Sequence, residues 1–113
     1  MGKICYNLRM EISDPILADF RRGLDALYGD KIERVVLFGS RARGDALPDS
    51  DYDVALFLKD MPDRWAEFDR LVGLRVNLLD TYDADFTVLP FKGSDYTRET
   101  GLMDAIRTEG VLL

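Results

Sequence analysis

A chain of 113 residues, 47% hydrophobic and 32% charged, has the size and composition of one ordinary globular domain, and no run approaches the ~20 apolar residues of a membrane span. A single cysteine, Cys5, and the absence of histidine exclude an internal disulfide, a cysteine-rich zinc site and every Ser-His-Asp or Cys-His mechanism. The net charge of −6, from 15 basic and 21 acidic residues, disfavours nucleic acid as a partner and suits hard cations.

Residues 1–12 are expected to form an N-terminal extension to a domain over 13–113. They lack the apolar core of a signal peptide, and Tyr6 stands where myristoylation needs Ser or Thr, so the expected location is cytoplasmic. The first helix is expected from ISDPILADFRRGLDALYG. Asp14 or Ser13 caps it, Pro15 takes the first helical position, and Ile16, Leu17, Phe20, Leu24, Leu27 and Tyr28 recur at helical spacing before Gly29. IERVVLF reads as a buried strand that stops at Gly39. SRARGDALPDS is polar, broken by Gly44 and Pro48, and is expected to be a turn with room for one helical turn. DYDVALFL is a second strand. Asp60 and Pro62 open a long helix whose apolar positions are Trp65, Phe68, Leu71, Val72, Leu78 and Leu79. ADFTVL is a third strand, closed by Pro90, and a last helix covers roughly 95–109, with Leu102, Met103 and Ile106 on one face and Gly110 at its end. Helix, strand, strand, helix, strand, helix implies a small sheet with helices packed on it, of the α+β or α/β type.

Two features of this order carry chemistry. Asp51 and Asp53 are two apart on a strand, so their side chains share a face with Cα atoms ~6.7 Å apart, close enough to grip a cation between them. A bare D-x-D is more often a solvated strand edge. Here the strand that follows is apolar on both faces, which puts the acids at the end of a buried strand. A calcium loop from Asp49, Asp51 and Asp53 is excluded because Val54 takes the position that needs glycine. The second feature is the Gly39-Ser40 turn. Glycine admits close approach of a ligand, the amides after it can hold phosphate oxygens, and Arg41 and Arg43 add cationic donors. A P-loop from Gly39 to Gly44 is excluded because Asp45 and Ala46 replace its Lys and Ser/Thr.

Taken together, LFGSRARGDALPDSDYDVALFL resembles the signature of the nucleotidyltransferase superfamily that includes polymerase beta: a strand, Gly-Ser, and then two acids flanking one residue, here 11 and 13 positions after Ser40. GSRARG, with a serine just before the acids, resembles the minimal nucleotidyltransferase (MNT) group. ADFTVLP resembles that family's third strand, and MDAIRTEGVLL its closing helix and short strand. The resemblance spans roughly 13–113. It implies that Gly39 and Ser40 bind a nucleoside triphosphate, most simply ATP, and that Asp51 and Asp53 ligate magnesium. Asp85 would complete the metal site and accept the proton of the attacking hydroxyl. Two metal ions ~3.5–4 Å apart would suit such an in-line displacement, with Arg41 or Arg43 neutralising departing pyrophosphate. Asp80 and Asp83 lie near Asp85, but only Asp85 sits in the apolar strand pattern, so Asp83 is the alternative third acid.

The expected function is transfer of AMP to a protein acceptor, because the chain is too short for an acceptor domain of its own. The MNT resemblance implies the antitoxin of a toxin–antitoxin pair whose partner is a HEPN ribonuclease. Two other readings stay open: a binding module that neutralises its partner without catalysis, and a small-molecule nucleotidyltransferase of the aminoglycoside type. Homo- and hetero-oligomers are both compatible with the sequence.

Overall fold

The computed structural model describes residues 14–113; the expected extension 1–12 and the alternative cap Ser13 lie outside the described residues. Asp14 caps helix α1 (Pro15–Tyr28), its Oδ1 accepting from the Ile16 amide at 2.8 Å and the Leu17 amide at 3.4 Å, with Pro15 in the first turn. A 3₁₀ turn over Gly29–Lys31 leads into β1 (Ile32–Phe38). The single helical turn α2 (Ser40–Arg43) follows Gly39, and β2 (Tyr52–Leu58) follows a loop. Helix α3 (Arg64–Tyr82) returns the chain to β3 (Phe86–Lys92); a 3₁₀ turn (Gly93–Thr97), α4 (Gly101–Glu109) and the short β4 (Val111–Leu112) complete the chain.

The four strands form one mixed sheet in the order β3-β2-β1-β4. β1 runs antiparallel to β2 and β4, and β2 runs parallel to β3. The parallel pair requires a crossover, and α3 supplies it. The two faces of the sheet are covered differently. Val35, Leu37, Val54, Leu56, Phe86 and Val88 pack with Phe20 and Leu24 of α1 and Leu71 and Leu78 of α3. Val36, Ala55, Phe57 and Phe91 pack with Met103 and Ile106 of α4. At Gly23 an added Cβ would collide with Leu74, so glycine allows α1 and α3 to close on each other. This is the expected α+β architecture. None of the helices among the described residues is long and apolar enough to cross a membrane.

Four boundaries and faces differ from expectation. β3 runs through Pro90 to Lys92, with Pro90 opposite Leu56; β3 is an edge strand, where a residue without an N–H is tolerated. α3 begins at Arg64 with Asp63 as its cap, later than Asp60 or Pro62 suggested. α4 begins at Gly101, not at 95. Asp95 instead accepts from the Lys92 amide at 3.2 Å in the 3₁₀ turn, and Thr100 caps α4 by accepting from the Met103 amide at 3.1 Å. Trp65, Val72, Leu79, Leu27 and Leu102, all placed on inward faces by spacing, are exposed.

Candidate active site

Gly39 has φ 75°, a left-handed conformation that β1 needs to turn sharply into α2. A Cβ built there would overlap the Asp53 carboxylate. The antiparallel register explains this contact, since Phe38 pairs with Asp53 across β1 and β2. The Gly-Ser turn and the acidic strand, inferred separately from sequence, therefore meet with no side chain between them. The first amides of α2 have no partner within the helix, and Gly39 offers no side chain to cap them.

Asp53 is half-buried and Asp51 exposed. Burial pushes the Asp53 carboxyl above the usual carboxylate range, and the negative charge of Asp51 pushes it the same way; Arg43 opposes both. Across the parallel pair, Asp53 faces Thr87 and Tyr52 faces Phe86, and the Tyr52 amide donates to the Asp85 carbonyl at 2.9 Å. Asp51 and Asp85 thus stand at the adjoining entrances of β2 and β3, with Asp53 inside β2. The Asp85 side chain turns to α3, its Oδ1 3.9 Å from Nη2 of Arg75, so the third carboxylate expected at the metal site is not gathered with Asp51 and Asp53. Among the described residues, no three acidic or cysteine side chains gather closely enough to enclose one ion. Asp83, the alternative third acid, is the C-cap of α3 with φ 55°, and Asp80 is exposed on that helix.

The two arginines occupy different places. Arg41 turns back on its own loop: Nε and Nη2 donate to the Ser50 carbonyl at 3.2 and 2.8 Å, and Nη2 to that of Pro48 at 3.1 Å. Its guanidinium also lies 4.3 Å from the centre of the Tyr52 ring. Contact with a triphosphate would require it to exchange these partners. Arg43 is half-exposed, paired with Asp45 at 3.3 Å and Glu109 at 3.2 Å, and acts electrostatically on Asp53.

Sequence reasoning missed several contributors. Tyr52, between the two acids, stacks on Phe86 at 4.6 Å and holds the opposite face of β2 against the core. Its aromatic character within D-x-D was the available signal. Ser50 accepts from the Leu47 amide at 2.9 Å and closes the loop that delivers Asp51. Arg75 had no local signal, because its partner lies on another element. A cleft of about 590 Å³ opens beside Asp51 and Asp85, lined also by Asp49, Asp83, Tyr82 and Leu79.

Residues 17–107 match the family model of the nucleotidyltransferase domain. The chain belongs to that family. It is 32% identical over 102 residues to a putative protein adenylyltransferase of Methanocaldococcus jannaschii, covering 90% of this chain and 98% of that one. Among solved structures, this nucleotidyltransferase matches a chain of a toxin–antitoxin with AMP-PNP with a TM-score of 0.59 and 22% identity, over 83% of this chain and 69% of that one. It also matches a chain of the tri-AMPylated Shewanella oneidensis HEPN toxin in complex with MNT antitoxin, with a TM-score of 0.52 and 19% identity, over 86% and 70%. The fold is therefore that of the polymerase-beta-like nucleotidyltransferases.

Proposed function

We propose that this nucleotidyltransferase transfers AMP from ATP to a hydroxyl of a protein partner, a HEPN-type toxin, and serves in the cytoplasm as the antitoxin of that pair. The contact of Asp53 with Gly39 carries the chemical part, because it joins the phosphate-binding turn to the acids without an intervening side chain. The acceptor is suggested by the relatives, one described as a protein adenylyltransferase and others solved as toxin–antitoxin complexes.

The donor set is all oxygen, which fits magnesium. Asp51 and Asp53 would hold it, and Asp85, just before β3, would join them by leaving Arg75. A metal held there would supply positive charge for the phosphate oxygens and would offset the repulsion between Asp51 and Asp53. The chain's own groups do the rest. The Ser40 hydroxyl and the first amides of α2 receive triphosphate oxygens. Arg43, which acts electrostatically on Asp53, is the arginine assigned to offset pyrophosphate charge, while Arg41 and Ser50 hold the loop that positions Asp51. The acceptor oxygen bonds to the α-phosphorus as the bond to pyrophosphate breaks, and its proton passes to the Asp85 carboxylate once that side chain has exchanged Arg75 for the acceptor.

The test incubates the protein with α-labelled ATP, magnesium and the helical protein encoded beside it. Label on that protein, lost with Asp53→Asn, is the expected result. A stable unlabelled complex would favour a non-catalytic antitoxin, and label on an aminoglycoside alone would assign a small-molecule acceptor.

A further inference from the structure

Helix α3 is apolar on two faces, and only one of them is used by the fold. Leu71 and Leu78 enter the core. Trp65, Val72, Val76 and Leu79 form a second stripe, 76%, 50%, 50% and 46% exposed, with half-buried Phe68 beside it. At about 100° per residue these five fall within one narrow sector of the helix. The flanks of that sector are sorted by charge, with Asp69 and Asp80 on one side and Arg64 and Arg75 on the other. The pattern repeats after 11 positions: Arg64-Trp65-x-x-Phe68-Asp69 recurs as Arg75-Val76-x-x-Leu79-Asp80. An 11-residue period keeps a stripe on one side of a nearly straight helix.

The acidic flank has no ion-pair partner within the described fold, and the basic flank is only loosely held. Among the described residues, neither Asp69 nor Asp80 has an ion-pair partner. Arg64 stacks only on rings, 5.9 Å from the centre of Phe68 and 5.1 Å from that of Phe91. Arg75 reaches Asp85 at 3.9 Å, and its Nε is buried with no hydrogen-bond partner.

We propose that this stripe pairs with the same stripe of a second copy of the chain, the two α3 helices running parallel about a shared two-fold axis. The charge pattern selects both partner and direction. A two-fold along the helices sets each acidic flank against the other copy's basic flank, bringing Arg64 toward the partner's Asp69 and Arg75 toward the partner's Asp80. An antiparallel pair would set acids against acids and arginines against arginines. The stripe runs about 21 Å from Trp65 to Leu79, enough for a modest, reversible dimer. Leu79 also lines the cleft beside Asp85, so parallel pairing opens two clefts at the same end of the seam. The inference stands apart from the transfer chemistry.

Sedimentation of the full chain over a concentration series tests it. The expected result is a monomer–dimer equilibrium that the double substitution Val72→Asp, Val76→Asp shifts to monomer with an unchanged circular dichroism spectrum. Asp69→Arg should weaken association about tenfold, and adding Arg64→Asp to the same chain should restore it. In a Cys5→Ser background, Trp65→Cys should crosslink to its own counterpart, and so should Leu79→Cys. Crosslinking only between Trp65→Cys and Leu79→Cys chains would mean antiparallel helices and overturn the proposal. A monomer at ~100 μM would also overturn it. So would a full chain that stays monomeric while the chain lacking residues 1–13 dimerises, which would assign the stripe to that segment.

Discussion

Gly39 answers two constraints at once: a positive φ that an L side chain resists, and a carboxylate lying where its Cβ would be. Gly39→Ala is therefore expected to destabilise by about 1–3 kcal/mol, read by urea unfolding, and to abolish transfer. A stability within error of the parent would mean Asp53 moves aside freely. Asp53 behaves in the opposite sense. Burial and Asp51 raise its folded pKa, so what the carboxyl contributes to stability is present below its unfolded pKa and is lost as pH rises through the folded value. Asp53→Asn removes that loss. In metal-free thermal melts it should match the parent at acid pH and equal or exceed it at neutral pH, while transfer falls to background. A large drop in melting temperature would make Asp53 a structural residue.

Between elements, the buried contact that sequence reasoning missed is the Tyr28 hydroxyl donating to Glu67 Oε1 at 2.9 Å, which ties the end of α1 to α3. Among the described residues, Glu67 is the buried charged one, and it takes a second partner, Arg70, at 3.4 Å. Burial, and then the Glu67 carboxylate, push the Tyr28 phenol above its ordinary range. A raised phenol pKa stabilises the fold below ~10, where the unfolded tyrosine begins to ionise, and the gain is lost as pH climbs further. Tyr28→Phe should cost about 1 kcal/mol at pH 7 and make the alkaline fall in stability shallower. Denaturant midpoints at pH 7 and above pH 10 measure both, and an alkaline fall as steep as the parent's would assign it to another group.

Across the whole molecule, β2 and β1 donate alternate side chains to both core clusters, so neither cluster can melt while the sheet survives. Thermal unfolding should give one cooperative transition, coincident by near- and far-ultraviolet circular dichroism. Separate transitions would mean that α4 and its cluster fold independently. The net charge of −6 acts at the same scale. Association with a basic protein acceptor should weaken as salt rises through the physiological range, chiefly through a slower on-rate; salt-independent binding would point to an apolar interface.

Local pattern was enough for most of the architecture. The cap at Asp14, the branched run of β1, the alternating acids of β2 and the order of elements all express forces that act within a few residues, and the structure reproduces them. The family, too, was legible, because Gly39-Ser40 and the spaced acids form a specific string. Packing decided the rest, since it depends on neighbours distant in the chain. Pro90 stays in a strand because β3 is an edge. Trp65, Val72 and Leu79 face outward because α1 and β3 occupy only one side of α3. Arg41 turns onto the Pro48 and Ser50 carbonyls, and Asp85 meets Arg75, through contacts that no spacing rule encodes. The sequence by itself singled out a Gly-Ser turn and spaced acids of the types that suit phosphate and metal; only the tertiary structure decided that Asp53 rests against Gly39, because that contact exists only once β1 and β2 are in register.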